Sequence, residues 1–96
     1  MKIRILHEAE LDFLEGYRFY EMQSPGLGDY FIDSLYADID SLLLHATSHG
    51  IHFGYHRLLA RRFPFAIFYR VKPDAIEVWA VLDCRQDPRK FARRLS

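Results

Sequence analysis

Two apolar runs near the carboxyl end constrain this chain more than any other feature. Residues 63–71 read FPFAIFYRV, residues 76–82 read IEVWAVL, and the segment KPDA lies between them. A strand with apolar residues in succession is buried on both faces, so the first run predicts a central strand of a sheet. Its Pro64 is tolerable only near the strand start, and the KPDA turn makes the second run its neighbour.

Upstream of this pair, the apolar period changes from that of a strand to that of a helix. The segment KIRILH alternates apolar Ile3 and Ile5 with charged neighbours, which predicts a first strand with one buried face. From Glu8 onward, a three- to four-residue spacing predicts a helix whose stripe is Ala9, Phe13, Tyr17 and Tyr20. After QSPGLG, Ser24 is the predicted cap of a second helix and Pro25 lies in its first turn. The stripe of that helix is Leu27, Phe31, Leu35, Ile39 and Leu42 or Leu43, and the two helices form an antiparallel hairpin.

The rest of the chain completes an α+β pattern. Residues 45–56 have no clean period and two glycines, so they predict a loop, and RLLAR (57–61) predicts a strand. The segment DPRKFARRL predicts a short final helix capped by Asp87, with Pro88 at its first position. The order β-α-α-β-β-β-α predicts one α+β domain over residues 1–96, with the helical hairpin on one face of a mostly antiparallel sheet.

Composition restricts the class of protein. The 96 residues, half of them apolar, are enough for one core. No run of about 18 apolar residues and no signal-peptide core are present, so neither a membrane span nor export is expected. The single cysteine, Cys84, cannot form an internal disulfide, which favours the cytoplasm. No glycine-rich phosphate loop is present, and no cofactor is expected.

The charges are unevenly distributed along the chain. Residues 1–50 carry nine acidic and three basic residues, whereas residues 51–96 carry ten basic and four acidic residues. This asymmetry predicts either a face that binds an acidic partner or two halves that neutralise each other within one fold.

Four histidines, His45, His49, His52 and His56, fall within twelve residues. Histidines can form a zinc site, but this spacing matches no established ligand pattern and no cysteine lies nearby. We therefore interpret them as part of a solvated loop and expect no metal. Cys84 precedes Arg85, which could lower the pKa of a thiol, but a lone cysteine at a strand end favours packing over catalysis.

The arginines are the strongest candidates for a functional site. On one strand Arg57 and Arg61 would share a face, and Arg85 at a strand end could join them. Guanidinium groups suit phosphate recognition and stabilise a transferring phosphoryl group, so these three are the candidate catalytic residues. The candidates for binding a partner or target are Arg62, Arg85, Arg89, Lys90 and Arg93. The alternative is that the arginines pair with the amino-terminal acids or face water.

Three segments together resemble the RelE/ParE superfamily of bacterial type II toxins, in the branch often described as plasmid-stabilisation proteins. They are FYEMQSPGLGDYFIDSL (19–35), RRFPFAIFYRV (61–71) and VLDCRQDPRKF (81–91), and they occur in order along nearly the whole chain. The resemblance implies the fold predicted above. It also implies a growth-inhibiting toxin neutralised by a cognate antitoxin, whose binding segment folds on the toxin.

The resemblance leaves the cellular target open. RelE-like members are ribosome-dependent endoribonucleases that cut messenger RNA, whereas ParE-like members poison DNA gyrase. The resemblance puts Arg85 at a basic position of the family, but Ala66 and Phe91 stand where the ribonuclease branch has an arginine and a tyrosine. Arg57 and Arg61 are the nearest substitutes for that branch's lysines.

Arginine stays protonated and is a poor general base, and nothing in the sequence places His56 for that role. We therefore expect a ParE-like toxin that acts by binding, with a ribonuclease as the alternative.

A third hypothesis is a non-toxic relic that still binds an antitoxin. The turn before the last helix often reads His-Gly-Arg-Arg-Asp-Pro in the family, but here it is DCRQDP, with Asp83 in place of the histidine and Gln86 in place of one arginine. The lower positive charge of this turn and the zero net charge of the chain favour that hypothesis. Dimerisation of the free protein stays open.

Overall fold

The computed structural model describes all 96 residues and shows one five-stranded sheet with helices on both faces. The strands are β1 (Lys2–Ile5), β2 (Ile51–His52), β3 (Tyr55–Leu59), β4 (Phe65–Val71) and β5 (Ala75–Asp83), in the sheet order β1-β5-β4-β3-β2. The helices are α1 (His7–Glu21), α2 (Leu27–Asp40), α3 (Leu42–His45) and α4 (Pro88–Leu95). Only β1 and β5 pair in parallel, which confirms the predicted α+β class and the mostly antiparallel sheet. No helix is long and apolar enough to cross a membrane.

Strand β4 is central in the sheet and buried on both faces, as its apolar run predicts. Alternate residues such as Ile67 and Tyr69 pack beneath α1 and α2, in the same core as Phe31 and Leu35. The intervening Phe68 joins a second cluster on the opposite face, whose other buried members are Tyr55, Ala66, Ala80 and Leu95. The fold thus consists of three layers: the helical hairpin, the sheet and α4.

The start of α2 differs from the prediction. The helix begins at Leu27, and Gly26 at its cap has φ 88°, a left-handed conformation that glycine adopts readily. The Glu21 carboxylate at the end of α1 accepts hydrogen bonds from the backbone N–H groups of Gly26 and Gly28 at 2.9–3.1 Å. The expectation that Ser24 caps this helix is therefore wrong, because a carboxylate from the preceding helix satisfies the free N–H groups.

The segment predicted as a loop over residues 45–56 follows the short helix α3 and contains a tight hairpin. Strand β2 pairs with the start of β3, and the two residues between them, Phe53 (φ 59°) and Gly54 (φ 83°), both have positive φ angles. Two such residues in succession are typical of the turns that join antiparallel strands closely. Phenylalanine is rare at positive φ, so the amino-acid sequence did not predict a turn at Phe53 and Gly54. As a result β3 begins at Tyr55 and ends at Leu59, two residues earlier than predicted at each end.

Helix α4 confirms its predicted start. The Asp87 carboxylate accepts a hydrogen bond from the Arg89 backbone N–H at 2.9 Å, and Pro88 occupies the first helical position. The helix lies on the face of the sheet opposite the hairpin, where Phe91 packs edge-to-face on Phe68 with ring centroids 5.9 Å apart. Its exposed side carries the basic residues Lys90 and Arg93.

Candidate partner-binding surface

The charges of the two halves of the chain largely fail to pair within the fold. Of the nine acidic residues before residue 51, only Asp12 forms an ion pair, with Arg94. The other ion pairs are Arg4 with Glu77, and two local pairs in which Arg85 and Arg89 contact aspartates two residues away. Internal neutralisation therefore explains little of the asymmetry, and most basic side chains keep their charge free for a partner.

Arg85 is held in a defined position at the end of β5. Its Nε and Nη2 groups donate to the Asp83 carboxylate at 3.0 and 2.8 Å, and Nη2 also donates to the Tyr20 hydroxyl at 3.2 Å. Its guanidinium carbon lies 5.8 Å from the centroid of the Phe19 ring. The hydrogen bonds from Arg85 hold the pKa of the Asp83 carboxyl below its ordinary value, so the carboxylate keeps its charge, and the ion pair, to a lower pH than a free aspartate would.

Arg62 contacts a further ring of the same aromatic group. Its guanidinium carbon is 5.7 Å from the Tyr30 ring centroid. The Phe63 ring lies between, 5.6 Å from Tyr30 and 4.8 Å from Tyr20. We call this set the aromatic–arginine cluster; its members are Phe19, Tyr20, Tyr30, Phe63, Arg62 and Arg85.

Two large rings of this cluster are open to solvent, Phe19 at 51% and Tyr30 at 46% of their full exposure. Exposed aromatic rings beside arginines are typical of the centre of a protein–protein interface. Sequence reasoning missed Phe19 and Tyr30 as functional candidates. The available signal was that each is a large aromatic residue lying off the buried stripe of its helix.

The three candidate catalytic arginines do not come together. Strand β3 ends at Leu59, so the alternation of faces along the strand does not extend to Arg61. Arg57 lies opposite Phe68, on the α4 face of the sheet. Arg85 contacts Tyr20 of α1, on the hairpin face. The expectation that Arg57 and Arg61 share a face is therefore wrong, and a catalytic role for any of the three stays a prediction.

The basic residues of α4 fall into two groups. Arg89 pairs with Asp87 at 2.6 Å, and Arg94 forms a two-pronged ion pair with Asp12 at 2.7 and 2.8 Å. Lys90 and Arg93 are exposed and have no carboxylate partner. These two candidates are the ones on α4 with their charge available to a partner.

Cys84 shows no sign of activation. The residue is exposed, but partial burial of its thiol raises the pKa, and this effect outweighs the opposing positive charge of Arg57. A raised pKa lowers the thiolate fraction at neutral pH, which disfavours nucleophilic chemistry.

The loop interpretation of the histidines holds only in part: His45 ends α3 and is exposed, His49 lies in the turn that follows, and His52 and His56 lie in β2 and β3. The His56 ring stacks on Tyr69 with centroids 5.1 Å apart, and its Nδ1 lies 2.9 Å from the His49 carbonyl oxygen. The Tyr69 hydroxyl donates to the Ala46 carbonyl oxygen, and burial raises the pKa of Tyr69 to about 12. No group of three or more His, Cys, Asp or Glu side chains is arranged to hold a metal ion.

Two positions that carry polar residues in the ribonuclease branch are occupied by apolar packing in this structure. Ala66 is 1% exposed, and Phe91 is partly buried against Phe68 beneath α4. Neither side chain has a group that could donate or accept a proton.

A solved structure has the same arrangement of helices and strands. It is a chain of the chromosomal ParDE toxin–antitoxin system from P. aeruginosa, which superposes with a TM-score of 0.75 over 84% of this chain and 92% of that chain. This chain has a ParE-like fold. The identity between the two sequences is 20%, so the comparison confirms the fold that the resemblance implied. No protein-family model matches the sequence, and no curated protein does.

Proposed function

We propose that this chain is the toxin of a type II toxin–antitoxin system and that it acts by binding its target. The observation that carries the proposal is the ParE-like fold over most of both superposed chains. The apolar residues Ala66 and Phe91 favour binding over RNA cleavage. We further propose that the protein works in the cytoplasm, that DNA gyrase is its target, and that a cognate antitoxin neutralises it.

The aromatic–arginine cluster is the surface that we assign to the antitoxin or the target. Arg85 is pre-positioned by Asp83 and Tyr20, so little side-chain entropy is lost when a partner binds it. Arg62 has no carboxylate partner in the fold, and the same is true of Lys90 and Arg93 on α4. Carboxylates of an antitoxin could pair with these cations while its apolar side chains cover Phe19 and Tyr30.

The first experiment expresses the gene from a tightly controlled promoter in a bacterial host. Incorporation of labelled thymidine and of labelled amino acids is followed side by side after induction. We expect thymidine incorporation to fall first, because inhibition of gyrase blocks replication. If amino acid incorporation falls first, the endoribonuclease alternative gains support, and primer extension on transcripts would then locate the cuts.

Growth assays on surface variants test the proposed binding surface, and the same assay on the wild type separates a toxin from a non-toxic relic. We expect Arg62→Ala and Arg85→Ala to relieve growth arrest, while Arg4→Ala does not. Arg4 is a matched control because it is also an exposed arginine but pairs with Glu77, away from the cluster. If wild-type protein accumulates folded and leaves growth unchanged, yet binds the product of the adjacent gene, the toxin proposal is wrong and the relic hypothesis replaces it.

A further inference from the structure

A polar cavity of about 520 Å³ lies between α2, α3 and β3, apart from the aromatic rings of the candidate surface. Its walls include Asp38, Ser41, His45, His49, Leu58 and Arg61. Ligand-binding cavities in proteins commonly enclose about 300–1,000 Å³, so this one is large enough for a side chain with part of its backbone.

Asp38 is the unusual group in this cavity. The residue is 6% exposed, and its carboxylate accepts a single hydrogen bond, from the Arg61 backbone N–H at 3.1 Å. No basic side chain lies within 4.0 Å of that carboxylate. A carboxylate has about four acceptor positions, and the fold fills one of those of Asp38. Asp38 therefore has acceptor capacity and negative charge to offer a ligand.

We propose that this cavity is a recognition pocket for the side chain of an arginine or lysine from a protein partner, with Asp38 as its counter-ion. The apolar part of the wall, which includes Ala37 and Leu58, suits the aliphatic stem of such a side chain. The cationic head would then pair with the buried carboxylate.

The rim of the pocket adds a second element of specificity. Arg61 and Arg62 line the cavity but are exposed to solvent, so their repulsion of an entering cation is screened by water and salt. The same two arginines attract carboxylates outside the pocket. The expected occupant is therefore a basic residue that is flanked by acidic residues in the partner.

The test is an NMR titration of the ¹⁵N-labelled full chain with N-acetyl-arginine amide. The matched control ligand is N-acetyl-citrulline amide, which has nearly the same shape and no charge. We expect saturable shifts of the Arg61 amide, which reports directly on Asp38, and of the neighbouring Ser41 amide. We expect at least tenfold weaker binding of the citrulline compound.

Asp38→Asn provides the matched protein variant. Its side-chain oxygen still accepts the hydrogen bond from Arg61, so we expect the unfolding temperature to stay near that of the wild type while affinity for the arginine compound falls at least tenfold. Equal binding of the two compounds, equal binding to wild type and variant, or no saturable shift would each overturn the proposal.

Arg61→Gln tests whether the Arg61 side chain itself occupies the pocket and pairs with Asp38. Binding that appears only in this variant would also overturn the proposal, because Asp38 would then serve as the partner of Arg61. All of these measurements are made on purified protein, so their failure would leave the toxin proposal untouched.

Discussion

The carboxylate of Asp12 connects three elements of the fold, and its removal is a sensitive test of the packing described above. It accepts a hydrogen bond from the Val81 backbone N–H at 2.9 Å, at a point of β5 beyond the end of β1. It also accepts both hydrogen bonds of the Arg94 guanidinium. Asp12 thus joins α1 to the open edge of β5 and fixes α4 against both.

The cost of Asp12→Ala can be estimated from these contacts. The Val81 N–H, in a residue that is 2% exposed, would lose its acceptor, at about 1–3 kcal/mol. Breaking a fully buried ion pair costs about 3–5 kcal/mol, but the Arg94 side chain is 26% exposed, so its share is smaller. We expect the free energy of unfolding to fall by about 3 kcal/mol in total. In a domain of this size, each kcal/mol lost lowers Tm by roughly 4–8 °C.

Asp12→Asn is expected to cost less, about 1–2 kcal/mol, because the amide oxygen can still accept from Val81. Burial also raises the pKa of the Asp12 carboxyl, so the native charged form already bears a desolvation penalty that asparagine avoids. The difference in unfolding free energy between Asp12→Ala and Asp12→Asn measures the contribution of the Val81 hydrogen bond. The loss that remains in Asp12→Asn measures the contribution of the charge.

The assay is equilibrium unfolding in urea, followed by circular dichroism. A double-mutant cycle with Arg94→Gln should give a coupling energy of about 1–2 kcal/mol. A loss below about 0.5 kcal/mol in Asp12→Ala, or a coupling energy near zero, would refute the reasoning, since values of that size are typical of surface changes.

Three further changes have defined outcomes. Gly28→Ala would place a Cβ 2.9 Å from the Tyr17 carbonyl oxygen, so thermal unfolding should show a loss of about 1–2 kcal/mol. Arg85 lowers the pKa of Asp83 from its ordinary 3.8, so the stability that this pair contributes is present above pH 3.8 and is lost as the pH falls through the pKa of Asp83 in the folded protein. The urea midpoint should therefore fall less steeply from neutral to acid pH in Asp83→Asn than in the wild type. Arg70→Ala removes a guanidinium that lies over two aromatic rings, one of them the single tryptophan; we expect a change in tryptophan emission and a loss of about 1 kcal/mol, with Arg70→Lys intermediate.

The parts of the fold that the sequence predicted are those in which a local pattern and the tertiary structure agree. The apolar run of β4 requires burial on both faces, and the hairpin covers one face while α4 covers the other. Likewise Asp87 and Pro88 specify a helix start, through a side chain that accepts a hydrogen bond and a ring that fixes φ, and the observed hydrogen bond from the Arg89 N–H to Asp87 follows from it.

The errors arose where a residue distant in sequence or a rare backbone conformation decided the outcome. Glu21 replaces Ser24 as the group that caps α2, because the turn between the helices brings the carboxylate back to the free N–H groups. The positive φ of Phe53 places β3 earlier than its composition indicated, and this removes Arg61 from the strand. Arg85 is separated for a different reason, since its side chain turns to Tyr20 on the hairpin face, a contact between residues far apart in sequence.

The closeness of arginines to the most apolar strands has a physical explanation in the aromatic residues around them. Arg62 lies over Tyr30, Arg70 over Tyr55 and Trp79, and Arg85 over Phe19. A ring attracts a guanidinium through its quadrupole but leaves the net charge in place. These contacts therefore fix the direction of each arginine without cancelling its attraction for a carboxylate. Because Asp83 also pairs with Arg85, Arg62 is the member of the aromatic–arginine cluster with the most to gain from an acidic partner.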